Sequence, residues 1–435
     1  MGNECSVLAL KDLFPNEDPA VLELIRLSII NDRTYESACT SSEKYKKERR
    51  LKRRRLQLFQ HVRECLHDNT FHTKYRMTFK AFLNLVDVLR DDLQRDSRKC
   101  RYGSPIFPEL IVAIGIRWMA GGDHSLIADL FRVSGRQVYC CRDSFMNAVI
   151  SEPSLAISIP STAADWEKVR KGFAEKSHDS LVHGMVGALD GFFQGTYQPT
   201  RKEANGNVLA YFSGHYKSYG LNCQACCDSD LRFLYFGVVA PGKTNDCVAF
   251  DRAVDMKKFI ESLPVGLFVV GDAAYTLSEN LLTPFTGVNR GDVNRDAYNF
   301  FLSQVRIRIE MAFGRLTRKW GILRNRLYGS QATCARVLLT CATLHNYCID
   351  QQAESSSGED DASSSSLSSA DSGDFVIRSA PEGLAYLPTV DEEEELLDGN
   401  TPGYSHSQES ILQQIHRENH RRPIANLLRN HVDMT

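Results

Sequence analysis

LVHGMVGALDGFFQGTYQ (181–198) decides the fold. Its first half is a nearly unbroken apolar run, as expected of a strand covered on both faces, and GFFQGTYQ continues it with a two-residue alternation. Between the two stands Asp190. An ionised carboxylate at the end of a buried run loses hydration free energy unless a cation or hydrogen bonds replace the water. The same situation recurs at Asp272 in LFVVGDAAY (267–275), and a lone acid, Glu310, sits among arginines in VRIRIEMAFGRL (305–316). Three such carboxylates imply one shared electropositive partner.

Working outward, YGLNCQACCD (219–228) and LRFLYFGVVAPG (231–242) read as second and third strands. NDCVAFDRAVDMKKFIESL (245–263) reads as an amphipathic helix and GLFVVGDAAY (266–275) as a fourth strand, followed by a polar loop to about 294. Two helices close the segment, one over 297–323 and one from Ala332 to Ile349. Three antiparallel strands, a helix, a further strand and terminal helices are the order of an RNase H-like α/β domain, a mixed sheet flanked by helices.

Upstream the period is helical. MTFKAFLNLVDVLRDDL (77–93) places Phe79, Phe82, Leu83, Val86 and Leu89 on one face, and Pro108 suits the start of the helix PELIVAIGIRWMA (108–120). SLIADLFRVSGRQVYCCRDSFMNAVI (125–150) reads as helix, turn at Val133-Ser134-Gly135, then helix. In this helix-turn-helix outline Arg136, Gln137 and Arg142 fall on the second helix, where DNA contacts are made; a corner of a helical bundle is the alternative. A short helix, DWEKVRKGFAEK (165–176), precedes the first strand. The organisation expected is an N-terminal extension (1–60), a helix-turn-helix-like all-α domain (61–163), the RNase H-like domain (164–350), a Ser- and acid-rich disordered linker (351–405) and a short helical segment (406–435).

Composition bounds the rest. A hydrophobic content of 43% and charged content of 24% fit a globular protein, and 435 residues allow two or three domains. The net charge of −2 hides segregation: bases cluster at 44–55 and 306–326, acids after 358. The basic run EKYKKERRLKRRRL (43–56) suits nuclear targeting or phosphate contact, with a solvated helix face as the alternative. Thirteen dispersed cysteines point to a reducing intracellular compartment. The longest apolar run, 110–116, is too short to span a membrane. Met1-Gly2-Asn3-Glu4-Cys5-Ser6 fits the N-myristoylation template, which leaves a membrane-tethered protein as an outlying reading. Cys223, Cys226 and Cys227 read as buried thiols, Cys334, Cys341 and Cys348 as one core face, and His345 as a packing or hydrogen-bonding residue.

The carboxylates suggest phosphodiester cleavage. Two divalent cations about 3.5–4 Å apart serve such a displacement, and hard cations take carboxylate oxygens. Asp190, Asp272 and Glu310 are the candidate catalytic and metal-binding set. Asp246, after a Pro-Gly turn, is a fourth ligand or else a helix N-cap. Glu310 is a metal ligand or else the partner of Arg306 at i−4. The surrounding Arg306, Arg308, Arg315, Arg318 and Lys319 would hold the DNA backbone.

With these residues assembled, the chain resembles the PIF/Harbinger transposases and the Harbinger transposase-derived nucleases. The resemblance runs from about 71 to 350 and rests on VGALDG, HYKSYGLNCQ, VAPGKTNDCVAF, VVGDAAY, RIRIEMAFGRLTRKWGIL and LHNYC. It implies a DDE-type nuclease with Asp190, Asp272 and Glu310 as the triad, Asp246 at a metal-associated position, and Mg²⁺ or Mn²⁺ as cofactor. It further implies nuclear localisation, with a cytoplasmic pool left open, DNA as substrate and a separate Myb-like DNA-binding partner; a homo-oligomer is also left open. The matching acids are all present, yet a domesticated DNA-binding or scaffold protein that no longer cuts remains the alternative function.

Overall fold

The computed structural model describes residues 58–96, 106–177, 182–287 and 293–357. Gly2, the basic run at 43–56, the acidic stretch after 358 and the C-terminal segment at 406–435 lie outside them.

The sheet is built around β1 (Met185–Gly195). β3 (Ser218–Cys227) pairs with it antiparallel, with Asp190 opposite Ala225 and Phe193 opposite Asn222. β4 (Phe233–Pro241) pairs antiparallel with β3, and the two-residue β2 (Phe212–Ser213) meets the start of β3. On the other side β5 (Phe268–Val270) and β6 (Leu281–Leu282) add in parallel. The order β4-β3-β1-β5-β6 makes β1 the middle strand of a mixed α/β sheet. The strand at 281–282 falls inside the segment read as a polar loop, where a two-residue apolar step is too short to signal a strand.

Helices cover both faces. On one lie α8 (Asp246–Arg252) and α9 (Val254–Glu261), whose Phe250, Met256, Phe259 and Ile260 bury against Val186, Leu189 and Val269. These two helices occupy the stretch read as one helix; Ala253 adopts φ −79°, ψ 64° between them and breaks the period. On the other face pack α10 (Val293–Lys319) and α11 (Gln331–Ser357). Leu302, Val305, Ile309, Ala312 and Leu316 recur at helical spacing and form the buried stripe of α10. Cys334, Cys341 and Cys348 are buried along α11, which runs past the Ile349 end read from the sequence to Ser357.

The upstream helices are α1 (Leu58–His67), α2 (Phe71–Tyr75), α3 (Phe79–Leu93), α4 (Pro108–Met119), α5 (His124–Leu130), α6 (Gly135–Ser151) and α7 (Ala163–Lys176). Thr78 caps α3 by accepting the Ala81 N–H at 3.2 Å. Phe82, Val86 and Leu89 point inward from α3 as its period requires, joined by Leu85, while Phe79 and Leu83 sit at the margin. Pro108 starts α4, and Arg117 is its one residue that is not buried. Glu109, buried on α4, is held by Arg90 at 2.6 Å. A capping box at Thr162 and Asp165 starts α7.

One continuous apolar cluster runs from these helices into the sheet and into α10 and α11, so the segments read as domains 61–163 and 164–350 share a core. Backbone meets backbone where they join. Gly121, at φ +94°, faces Gly321 just beyond α10, and a Cβ on Gly321 would lie 2.5 Å from the Ala120 carbonyl oxygen. Side chains at these glycines would push the helical layer off the end of α10.

The start of β4 is clamped by α11. The Asn346 amide accepts the Phe233 N–H and donates to the Phe233 carbonyl, both at 2.8 Å, completing the strand as a neighbouring peptide would. Beside it His345 Nε2 donates to the Leu231 carbonyl at 2.7 Å. Burial lowers the His345 imidazole to about 4. Asn346→Leu is expected to cost about 1–3 kcal/mol, measured by urea unfolding, because two buried backbone groups lose their partner. The His345 contribution depends on pH in one direction. Its folded pKa lies below the ordinary 6.5, so the unfolded chain binds the extra proton and stability falls as pH drops from 6.5 towards 4. The stability difference between wild type and His345→Gln should therefore narrow over that window, by up to about 1.4 kcal/mol per pH unit.

Candidate active site

Asp190 marks where the continuous burial of β1 stops, not where the strand stops: the strand runs on to Gly195 with half-exposed residues and the buried Gln194. Its carboxylate faces α10. Asp190 Oδ1 accepts the Gly191 N–H at 2.8 Å, and Oδ2 lies 3.6 Å from Arg306 Nη1. The same Arg306 nitrogen is 3.0 Å from Glu310 Oε1. The i, i+4 pair read as an alternative role for Glu310 is thus formed, and its guanidinium also reaches Asp190. Glu310 itself stays half-exposed, at 51% of its side chain.

Burial pushes the Asp190 carboxyl up to about 6. The Gly191 N–H and Arg306 pull it back, while the charges of Asp272 and Asp246 add to the rise. Asp272, two residues beyond β5, accepts the Ala274 N–H at 2.9 Å. The buried Tyr275 phenol is pushed well up, first by burial and then by Asp190, Asp246 and Asp272 together. The middle of β1, the turn after β5 and the start of α8 therefore place these three acids within one electrostatic neighbourhood, and Arg306 links Glu310 to it.

Asp246 comes to β1 over Gly191. By strand alternation Gly191 faces away from α10, towards α8. A Cβ there would lie 2.2 Å from Asp246 Oδ1, so only glycine lets this carboxylate approach. Asn245, not Asp246, caps α8 by accepting the Val248 N–H at 3.0 Å. The capping role weighed for Asp246 is thereby corrected: its neighbour holds the cap, and Asp246 is left in the first turn.

Residues absent from the sequence reading fix it there. Asn222 Nδ2 donates to Asp246 Oδ1 at 3.0 Å and Gln224 Nε2 to the same oxygen at 3.2 Å. Tyr275 Oη donates to Gln224 Oε1 at 2.9 Å, completing a chain from the Asp272 turn to Asp246. In the sequence Asn222 and Gln224 look like the polar positions of an alternating strand. Their spacing of two was the only available signal.

The basic residues divide by helix face. Arg306 belongs to the site. Arg308, Arg315 and Lys319 lie on a different face of α10: Arg315 donates to Gln352 at 2.7 Å and Lys319 lies against the Cys348 thiol, both on α11. The Arg308 Nε is buried without a hydrogen-bond partner. Arg318 is exposed. In the upstream corner, α5 and α6 form the expected helix-turn-helix outline over a turn at 131–134, with Ser134 capping α6. Arg136 is exposed there. Arg142 is instead held between Asp143 at 2.7 Å and the Trp118 and Tyr139 rings, with only 11% of its side chain exposed.

Cys223, Cys226 and Cys227 line β3, and burial pushes all three thiols up. Among the described residues no three His, Cys, Asp or Glu side chains close into a preformed metal cage. The donor set nevertheless suits a hard cation: all oxygens, mutually repelling, with a guanidinium already between two of them. No helix among the described residues is long and apolar enough to cross a membrane.

Comparison with known proteins agrees with the resemblance drawn from the sequence blocks. Residues 189–346 match the family described as DDE superfamily endonuclease, a span that contains Asp190, Asp246, Asp272 and Glu310. The chain is 23% identical over 269 residues to "Putative nuclease HARBI1" of Mus musculus, covering 61% of this chain and 73% of that protein. It is 23% identical over 300 residues to "Protein ALP1-like" of Arabidopsis thaliana, covering 65% and 71%. No solved structure matches.

Gly191→Ala should separate site from scaffold. The added methyl displaces the Asp246 carboxylate, costing about 1–3 kcal/mol of stability by overpacking. Calorimetric titration with Mn²⁺ should then show weaker binding than wild type in a protein whose circular dichroism is unchanged.

Proposed function

We propose that the protein is a divalent-metal-dependent DNA endonuclease of the Harbinger transposase-derived type, acting by a two-metal mechanism. The observation that carries this reading is the bridge Asp190–Arg306–Glu310. A carboxylate of the central strand and one of α10 already share a positive charge, beside two further acids that raise Asp190 by repulsion. Asp190, Asp246, Asp272 and Glu310 would hold Mg²⁺ or Mn²⁺. When bound, the cations supply charge neutralisation at the phosphate and an activated nucleophile.

The chain's own residues supply positioning. Asp190 is set on the middle strand of a rigid sheet, and Asn222 with Gln224 fixes the aim of Asp246. Arg306, which bridges Asp190 and Glu310, would serve as the guanidinium that binds a phosphate oxygen of the scissile strand. Arg318 and Arg136 are the exposed cations from the sequence set that are free to meet the DNA backbone. Nuclear localisation and a Myb-like partner come with the Harbinger resemblance and belong to this reading as proposals; self-association is proposed alongside them.

Purified full-length protein should nick supercoiled plasmid in Mg²⁺ or Mn²⁺ and stop in EDTA. Asp190→Asn, Asp272→Asn and Glu310→Gln should each lower nicking by about 10²-fold or more, with unchanged thermal unfolding in the absence of metal. Equal nicking by wild type and Asp190→Asn would overturn the assignment. Tight DNA binding with no nicking in any metal would replace it with a DNA-binding scaffold that keeps the fold.

A further inference from the structure

The hairpin tip between β2 and β3 sets Tyr216 against Phe193 of β1, an aromatic pair that the carboxylate chemistry does not use. Phe193 and Tyr216 stack face to face, with ring centroids 4.2 Å apart and planes within 8°. Two glycines make the slot. A Cβ on Gly220 would lie 2.4 Å from the Phe193 ring, and one on Gly242 2.7 Å from it. Phe193 is therefore pinned against bare backbone, Tyr216 lies on top of it, and His215 meets Tyr216 edge-on at 4.7 Å. With Phe193 stacked against it, Tyr216 is still 56% exposed.

The location is specific. Phe193 lies on the same face of β1 as Gly191, two residues further on and so about 7 Å along the strand. Gly191 is the residue over which Asp246 enters the site. Phe193 is also directly opposite Asn222, which holds Asp246. Burial, then Asp246 and Asp190, raise the Tyr216 phenol, in keeping with that proximity. Lys217, next to Tyr216 at the tip, and Lys243, next to Gly242, are both exposed.

We infer that Tyr216, backed by Phe193, is a stacking platform for an unpaired nucleobase next to the scissile phosphate. The inference rests on the endonuclease reading and names the form of DNA the site would take. Charge selects the occupant. A nucleobase is the neutral, flat part of a nucleic acid and can lie beside carboxylates that repel phosphate, while Lys217 and Lys243 take the adjoining phosphates. Stacking also requires the base to leave its duplex neighbours, so forked, flapped or locally melted DNA should be preferred over closed duplex.

The test uses full-length protein, Ca²⁺ in place of the cleaving metal, and a forked oligonucleotide with 2-aminopurine at the junction and a fluorescein end label. Wild type should quench the 2-aminopurine on binding. Tyr216→Ala should abolish the quench and weaken binding by about tenfold. Tyr216→Trp should retain both, a rescue that a purely structural tyrosine would not show. If wild type nicks plasmid and binds the fork but Tyr216→Ala quenches and binds equally well, the platform is overturned and the endonuclease reading stands. If wild type neither nicks plasmid nor binds the fork, both fall.

Discussion

A carboxylate held half-buried on the middle strand of a sheet is the constraint on which the rest turns. Asp190 cannot be left without a positive partner there, and desolvation already drives it towards the protonated form. α10 relieves the strain by delivering Arg306, and the same helix turn brings Glu310 alongside. That delivery depends on the angle of α10 against β1. Its buried stripe sets the angle, the Phe192–Phe313 contact at 5.0 Å reinforces it, and the glycine contact with the helical layer stops its end. Core packing and site chemistry are one problem in this part of the molecule.

The opposite face of β1 solves a different problem, how to bring a second carboxylate close without a cation in hand. The answer is subtraction and amides. Gly191 removes the side chain that would block Asp246, and Asn222 and Gln224 offer N–H groups to a single carboxylate oxygen. Tyr275 then ties this amide pair to the turn that carries Asp272. A network of this kind holds geometry only when every member is satisfied, and here each side chain finds its partner.

The fold was legible because its signals are periodic. The apolar runs of β1 and β5, the alternation of β3 and the 3.6-residue stripe of α10 are local patterns that burial imposes on sequence. Short β6 and the break at Ala253 escaped because neither extends over a full period. Asp190, Asp246, Asp272 and Glu310 stood out as charges where apolar or basic residues were expected. Asn222, Gln224 and Tyr275 did not, since polar residues in a half-covered strand and an aromatic after a turn are ordinary. The basic run of α10 looked like one DNA-binding surface, yet Arg315 and Lys319 turn towards α11 because 100° per residue separates them from Arg306.

What the sequence by itself determined is the identity and order of the longer elements and the positions of the acids. Hydrophobic period and stranded charge are properties of neighbouring residues, so they survive in a linear reading. Tertiary structure alone decided which cation meets which acid, that Asn245 and not Asp246 caps the helix, that Gly191 is a doorway, and that Phe193 and Tyr216 form a stack. Each of these depends on register between strands or on the face a helix turns to its neighbour. Such relations join residues distant in the chain, and no local pattern encodes them.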